Sequence, residues 1–356
     1  MKTLIGLLFF ALLLGSCGNS GKKIKTESAD TGRTPKFDFN YKVLKKIKIG
    51  GEGGWDYVAF DSVNRRLYIS HGTKVDILDV DKEQLVGEIP NTPGVHGIAF
   101  AYDLNKGYTS NGKDSSVTVF DLKTMQTISK IKVTGANPDA IIYDPFTRRI
   151  FTFNGKSDNT TVIDAENGSI LKTLELRGKP EFAVTNGFGK VFVVLEDSDK
   201  LVAIDPKGLV VLNTWDLDSV KEPSGLCYDL TYRRLFVGCG DKKLAIVNSD
   251  NCSVKNTYPI GDHVDATAFN IDTRMVFASN GDGTLTILGQ IDADSCTKPV
   301  NIVTQKGART MAIDIKKDRI YLPVADFGPM EDSKDGKKPR PSIIPGTFSI
   351  LVVGRK

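Results

Sequence analysis

Two stretches carry the same phrase: PDAIIYDPFTRRIFTFNGKSDNTTVID, from Pro138 to Asp164, and PSGLCYDLTYRRLFVGCGDKKLAIVN, from Pro223 to Asn248. Each reads as an apolar strand, a turn opened by Asp and closed by paired arginines, a second strand, a polar loop and a third strand. Working outward from these two copies, the phrase returns seven times. Aligning Asp56, Gly97, Asp139, Phe182, Gly225, Asp265 and Thr310 gives a period of roughly 40–45 residues, which with four short strands marks a β-propeller blade.

The strands are legible individually. Arg66–Ser70, Lys190–Val194 and Arg319–Pro323 are short, β-branched or aromatic, and bounded by turn-forming residues. Sustained apolar spacing at three and four residues is missing from the sequence beyond its first residues, so almost no helix is expected. A single blade cannot cover both faces of its own sheet, whereas stacked blades closed into a ring bury them all. The seventh copy starts at Arg309-Thr-Met-Ala-Ile-Asp314 and ends after three strands, with Thr347 to Val353. Its missing outer strand is expected from Tyr41 to Ile49. The sequence therefore predicts an all-β, seven-bladed propeller over residues 37–356, closed by an N-terminal strand that completes the last blade.

The first residues read as addressing. Lys2 precedes an apolar run from Leu4 to Leu14, shorter than a membrane span of about 20 residues, and Leu14-Gly15-Ser16-Cys17 follows it. Small residues before a cysteine resemble the bacterial lipobox, which implies a signal peptide at 1–16 and an acylated Cys17. Residues 17–36 then form a polar tether. The expected location is the cell envelope, lipid-anchored, on the periplasmic side of the outer membrane where there are two membranes. Net charge is only +4, from 47 basic and 43 acidic residues, with no concentrated basic patch, so nucleic acid is not an expected partner.

Beyond Cys17 the cysteines are Cys227, Cys239, Cys252 and Cys296. Cys227 and Cys239 fall on the first two strands of one blade, within expected reach of a cross-strand bridge, and Cys252 and Cys296 lie about one repeat apart. Three pairings are open. No pair has the CxxC spacing of a structural zinc site.

In a propeller the innermost strand runs from the top face downward, so inter-blade links and the loops between second and third strands share the top. That plan collects polar residues on one face. The candidates for ligand or metal binding are His71, His96, Asp139, Glu181, Glu196, Asp265 and Arg309, and behind them Asp56, Asn154, Glu222, His263 and Asn280. All three histidines of the chain fall here. Imidazoles and carboxylates around a funnel suit a small polar ligand or a divalent metal, and the sequence assigns no cofactor beyond that option. The Asp and Arg/Lys sets of the bottom turns, such as Asp144 with Arg148 and Arg149, read as turn and ion-pair structure. The last blade carries a long top loop between Val324 and Thr347. Its apolar ends, Phe327–Met330 and Ile343–Pro345, are expected to lie over the funnel as a partial lid, with a charged middle at Glu331–Arg340.

The links between blades, together with Val264–Phe269, Ser279–Thr286, Gly307–Met311 and Pro345–Phe348, resemble the YVTN repeat of YncE-like seven-bladed propellers, in particular exported bacterial members. The resemblance covers nearly all of the chain after the tether. It implies a fold and an exported location, and it carries little function. Two classes follow: a binding propeller presenting a small ligand, metal or envelope-partner site, and an enzyme of metal-dependent hydrolase, lactonase-like or redox type. Against the enzyme, no Ser/His/Asp elbow is present, and only Trp55 and Trp215 stand where quinoprotein blades carry many tryptophans. A lactonase-like set could be imitated by Glu181, Asn154 and Asp139. No catalytic residue is assigned.

Overall fold

Alternating β-branched and aromatic residues, punctuated by Asx and Gly turns, fold each repeat into four antiparallel strands. The computed structural model describes residues 35–331 and 340–356. The expected signal peptide, Cys17 and most of the tether lie outside the described residues, as does most of the charged middle of the last blade's loop. Lys36 to Lys356 form one unit of seven four-stranded sheets. The only helical element among the described residues is a 3-10 turn at Tyr102–Leu104.

Blades 1 to 6 follow the simple order of the chain. Their innermost strands are Trp55–Asp61, Val95–Ala101, Pro138–Asp144, Pro180–Thr185, Pro223–Asp229 and Val264–Asn270. Blade 7 is composite. It runs outward through Ala312–Asp314, Arg319–Val324 and Ser349–Gly354, and its outer strand is Lys42–Lys48. That N-terminal strand pairs antiparallel with the C-terminal one, from Lys42 opposite Gly354 to Lys48 opposite Ser349. The ring is thus closed by both ends of the chain, as the sequence predicts.

The core lies between neighbouring sheets. Second and third strands are almost wholly buried, whereas fourth strands such as Thr127–Lys132 are largely exposed. Blades 4 and 5 share one cluster, in which Phe192, Leu201, Leu235 and Val237 are fully buried. Each such side chain contributes about 1.5–3 kcal/mol by leaving water. Toward the bottom, turn carboxylates tie blade to blade: Thr185 donates to Asp144 at 2.6 Å, Gln290 to Asp229 at 3.0 Å, and Arg65 to Asp314 at 2.6 Å. The four cysteines are free thiols. A bridge between Cys227 and Cys239, one of the pairings left open, is not formed, because the ladder sets Cys227 opposite Phe236 and Cys239 opposite Pro223.

Candidate functional site

The inner strands of blades 1 to 6 each start with an apolar or proline residue paired to the end of the second strand: Trp55 with His71, Val95 with Asn111, Pro138 with Asn154, Pro180 with Leu195, Pro223 with Cys239 and Val264 with Asn280. The register shifts immediately afterwards in all six. A bulge of this kind bends the strand and re-aims a side chain. Second-strand serines hold several bulges: Ser70 Oγ accepts from Asp56 N at 3.1 Å, and Ser110 Oγ from Gly97 N at 2.8 Å.

The residue that follows each of these starts stands at the top of the axial channel. Those residues are Asp56, His96, Asp139, Glu181, Ser224 and Asp265. In blade 7, counting back from Asp314 opposite Arg319 as from Asp61 opposite Arg66, the equivalent position is Arg309. The alignment made from the sequence placed Gly97, Phe182, Gly225 and Thr310 here. The ring positions in those blades lie one residue earlier, at His96, Glu181, Ser224 and Arg309, three of which the sequence also names as candidates.

Within this ring the partners cross blade boundaries. His96 Nδ1 lies 2.5 Å from Asp56 Oδ2 and 3.7 Å from Asp139 Oδ1. One ligand atom from each of Asp56, His96 and Asp139 can be chosen so that all lie within 4.8 Å of one another. Arg309 closes the other side, paired with Asp265 and 3.5 Å from Asp56. Ser224 donates to Asp265 at 3.1 Å. Glu181 Oε2 is 3.1 Å from Lys179 Nζ but out of line for a hydrogen bond, and Lys179 also pairs with Glu196 at the outer edge. Beneath the ring, Tyr57 of blade 1 meets Phe182 of blade 4 with ring centroids 5.4 Å apart, plugging the channel.

Four carboxylates therefore face two permanent cations, Arg309 and Lys179, together with His96, in a cup closed from below. Burial pushes Asp139 up to about 6, against the pull of His96. Burial, reinforced by repulsion from Asp139, pushes Glu181 up to about 7. Burial opposes the charge on His96, but the hydrogen bond to Asp56 and the nearby Asp139 raise its pKa above the usual imidazole range. The Tyr57 phenol is held well above its ordinary value by burial and by the Asp139 and Glu181 carboxyls. Such a cup attracts positive charge and binds protons strongly while it holds none.

The other candidates stand elsewhere. His71 is buried inside blade 1, with Nδ1 2.7 Å from Asp76 Oδ2 and its ring 4.6 Å from that of Phe348. Asn154 and Asn280 are fully buried and clamp their own hairpins, Asn154 donating to Asn159 at 2.8 Å and Asn280 to Thr286 at 2.9 Å. Glu222 and His263 occupy left-handed link positions at φ 53° and 57° on the exposed rim. Sequence reasoning missed Tyr57, Lys179 and Ser224. The signal was present for all three, since Ser224 occupies a ring position and Tyr57 and Lys179 lie within two residues of one.

No protein-family model matches the chain. Among curated proteins it is similar to Antigen Lp49 of Leptospira interrogans serogroup Icterohaemorrhagiae serovar copenhageni, at 22% identity over 280 residues. That alignment takes in 71% of this chain but spans only 60% of the length of the antigen. Among solved structures it is similar to a chain of Kuenenia stuttgartiensis Hydrazine Synthase, with a TM-score of 0.65 at 16% identity, covering 76% of this chain and 92% of that one. At that identity the likeness shows the propeller fold and no activity.

Proposed function

We propose that this chain is an envelope-anchored binding propeller of YVTN type whose axial cup holds a divalent cation. The observation that carries the reading is the convergence of Asp56, His96 and Asp139, from three blades, with ligand atoms within 4.8 Å of one another. Mixed imidazole and carboxylate donors suit manganese, iron, cobalt, nickel or zinc better than the all-oxygen shells of calcium and magnesium. The Nδ1 of His96 is the donor facing the carboxylates. Its Nε2 is turned toward Gly112 and Asn137. Glu181, beside Asp139, supplies further negative charge, and Arg309 and Lys179 keep the cup from being uniformly anionic. In this reading Cys17 is the acylated anchor and the propeller stands on the periplasmic side of an outer membrane.

The test is metal analysis of protein purified without chelator, followed by calorimetric titration with zinc and manganese. About one equivalent is expected, lost in His96→Ala and Asp139→Asn and kept in His263→Ala. A metal-free protein that takes up neither ion, or one whose uptake survives both cup substitutions, overturns the reading.

A second reading is favoured by one observation. Glu181, with a pKa near neutrality, lies next to the three-donor cluster, as a general acid or base beside a metal-bound water would. Metal-dependent hydrolysis of a lactone panel that is abolished in Glu181→Gln, with metal binding retained, would establish it.

A further inference from the structure

The face opposite the cup carries a feature that the binding site does not use. Every blade turns from its first to its second strand at the bottom of the ring, close to the axis, and every one of those turns exposes a large apolar side chain. Three are aromatic: Tyr102 in blade 2, Phe146 in blade 3 and Phe188 in blade 4, exposed by 43%, 52% and 77%. The other four blades present Val63, Leu230, Ile271 and Ile315. Scattered surface hydrophobics need no explanation, but one per blade at the same turn is a crown.

The crown is held rigidly. Asx turns fix the tips, with Asp61 Oδ1 accepting from Val63 N at 3.0 Å, Asp229 Oδ1 from Thr231 N at 2.8 Å, and Asn186 Oδ1 from Phe188 N at 2.8 Å. Phe146 leans toward the next blade, 3.6 Å from where a Cβ on Gly189 would stand.

The N-terminal segment reaches the propeller on this same face. Phe37 lies against Gly289, at the lower end of blade 6, and Tyr41 Oη donates to Asp318, in the bottom turn of blade 7, at 2.8 Å. The outer strand then climbs from Lys42, opposite Gly354, toward the top. The described chain thus enters the propeller from the bottom face, the side to which the expected tether at residues 17–36 connects.

From the crown and the point of chain entry we infer that the bottom face docks on a phospholipid bilayer, with the apolar tips entering the interfacial layer. A ring of convex tips around a flat disc fits a plane and offers no groove to a peptide. Aromatic and aliphatic tips are the residues that settle at a membrane interface. Three of the basic groups in these turns are paired, Arg65 with Asp314, Arg148 with Asp103 and Arg233 with Asp250. The attraction is accordingly apolar, and salt should alter it little. Docking in this way turns the cup away from the membrane. The inference stands independently of what the cup binds.

The experiment uses the chain as expected after removal of the signal peptide at 1–16, carrying Cys17→Ser so that no acyl group can anchor it, with phosphatidylethanolamine–phosphatidylglycerol vesicles. The combined variant Phe146→Ser, Phe188→Ser and Leu230→Ser is expected to lower the vesicle partition coefficient by about tenfold or more, with little dependence on salt. In the same background, Phe188→Trp should shift its emission to the blue and be quenched by brominated lipid, whereas His263→Trp, on the opposite rim, should not. The inference is overturned if the combined variant partitions like its parent, or if only His263→Trp responds. It is equally overturned if the parent self-associates through the crown and leaves the vesicles untouched.

Discussion

His96 of blade 2 reaches across a blade boundary to place its Nδ1 2.5 Å from Asp56 Oδ2 of blade 1, with Asp139 of blade 3 at 3.7 Å. Three sheets that share no strand thus share one polar centre. Each of the three residues lies within the register shift that opens its inner strand, so its aim at the centre is built into the fold.

Metal binding at that centre should depend on pH with a defined sign. Protons and metal compete for the same atoms, and Asp139 and Glu181 hold protons up to about 6 and about 7. His96, also raised, adds to the competition. Affinity for zinc or manganese is expected to climb by about one to two orders of magnitude from pH 5.5 to pH 8 and then flatten. Calorimetry in two buffers of different ionisation enthalpy should record proton release near pH 6.5. Pellet-free equilibrium dialysis showing a flat affinity over this range would count against metal at the cup.

Glu181 has a linked effect on stability. Its folded pKa, about 7, lies above the ordinary value of 4.5, so the folded state binds this proton more tightly than the unfolded chain does. The resulting stabilisation is fully present below pH 4.5 and is lost as pH rises through about 7. Glu181→Gln abolishes the titration. Without added metal, the variant should unfold at higher urea than the parent at pH 8, by at most about 3 kcal/mol, with the gap narrowing toward pH 4.5. Parallel stability curves for the two proteins would show that Glu181 does not titrate in this range.

The fold was legible because strand pattern, turn chemistry and repeat length all point to one architecture. Six of the seven ring residues, Asp56, His96, Asp139, Glu181, Asp265 and Arg309, were legible as top-face polar side chains, and only the repeat frame was off by one in four blades. The inner strands begin with a register shift in blades 1 to 6 alike, so an apolar–polar alternation alone does not say which of the first residues points to the axis. Sorting the polar residues was harder still. Asn154 and Asp139 look alike in sequence as candidates at the top. Yet Asn154 lies at the end of a second strand whose side chain turns into the sheet, where Asn159 and Thr161 hold it. Position in the blade decides the role, and residue type does not. His71 shows the same: it sits at the register of Asn154, and its partner is Asp76 within its own hairpin.

Gly112 gives a sharper probe of His96 than removing the imidazole. A Cβ on Gly112 would stand 2.7 Å from His96 Nε2 and 2.8 Å from Asn137 Oδ1, closer than real contacts allow. Its φ is not in the left-handed region, so alanine is acceptable to the backbone. Gly112→Ala should therefore leave the fold intact, at a cost of about 1–2 kcal/mol, while pushing the imidazole from its place between Asp56 and Asp139. Metal affinity is expected to fall roughly tenfold, as when a supporting contact is lost. An unchanged affinity would mean that His96 is not a ligand.

Closure of the ring depends on a short N-terminal strand, and Tyr41 at its foot carries more of it than length suggests. Tyr41 is only 4% exposed, and its aromatic ring stands edge-on to Phe277 at 5.3 Å and lies under the Arg355 guanidinium at 5.2 Å. Its hydroxyl donates to Asp318, which also accepts from Asn270 and Arg355. Tyr41→Phe should cost only about 1 kcal/mol, because Asp318 keeps its other partners. Tyr41→Ala removes the packed ring as well and should cost about 3–5 kcal/mol. Blade 7 is built from both ends of the chain, so loosening its outer strand opens the whole ring. Urea unfolding of Tyr41→Ala is expected to stay a single transition at a lower midpoint. An early separate transition confined to the last blade would show that closure is local and that the other six sheets hold one another without it.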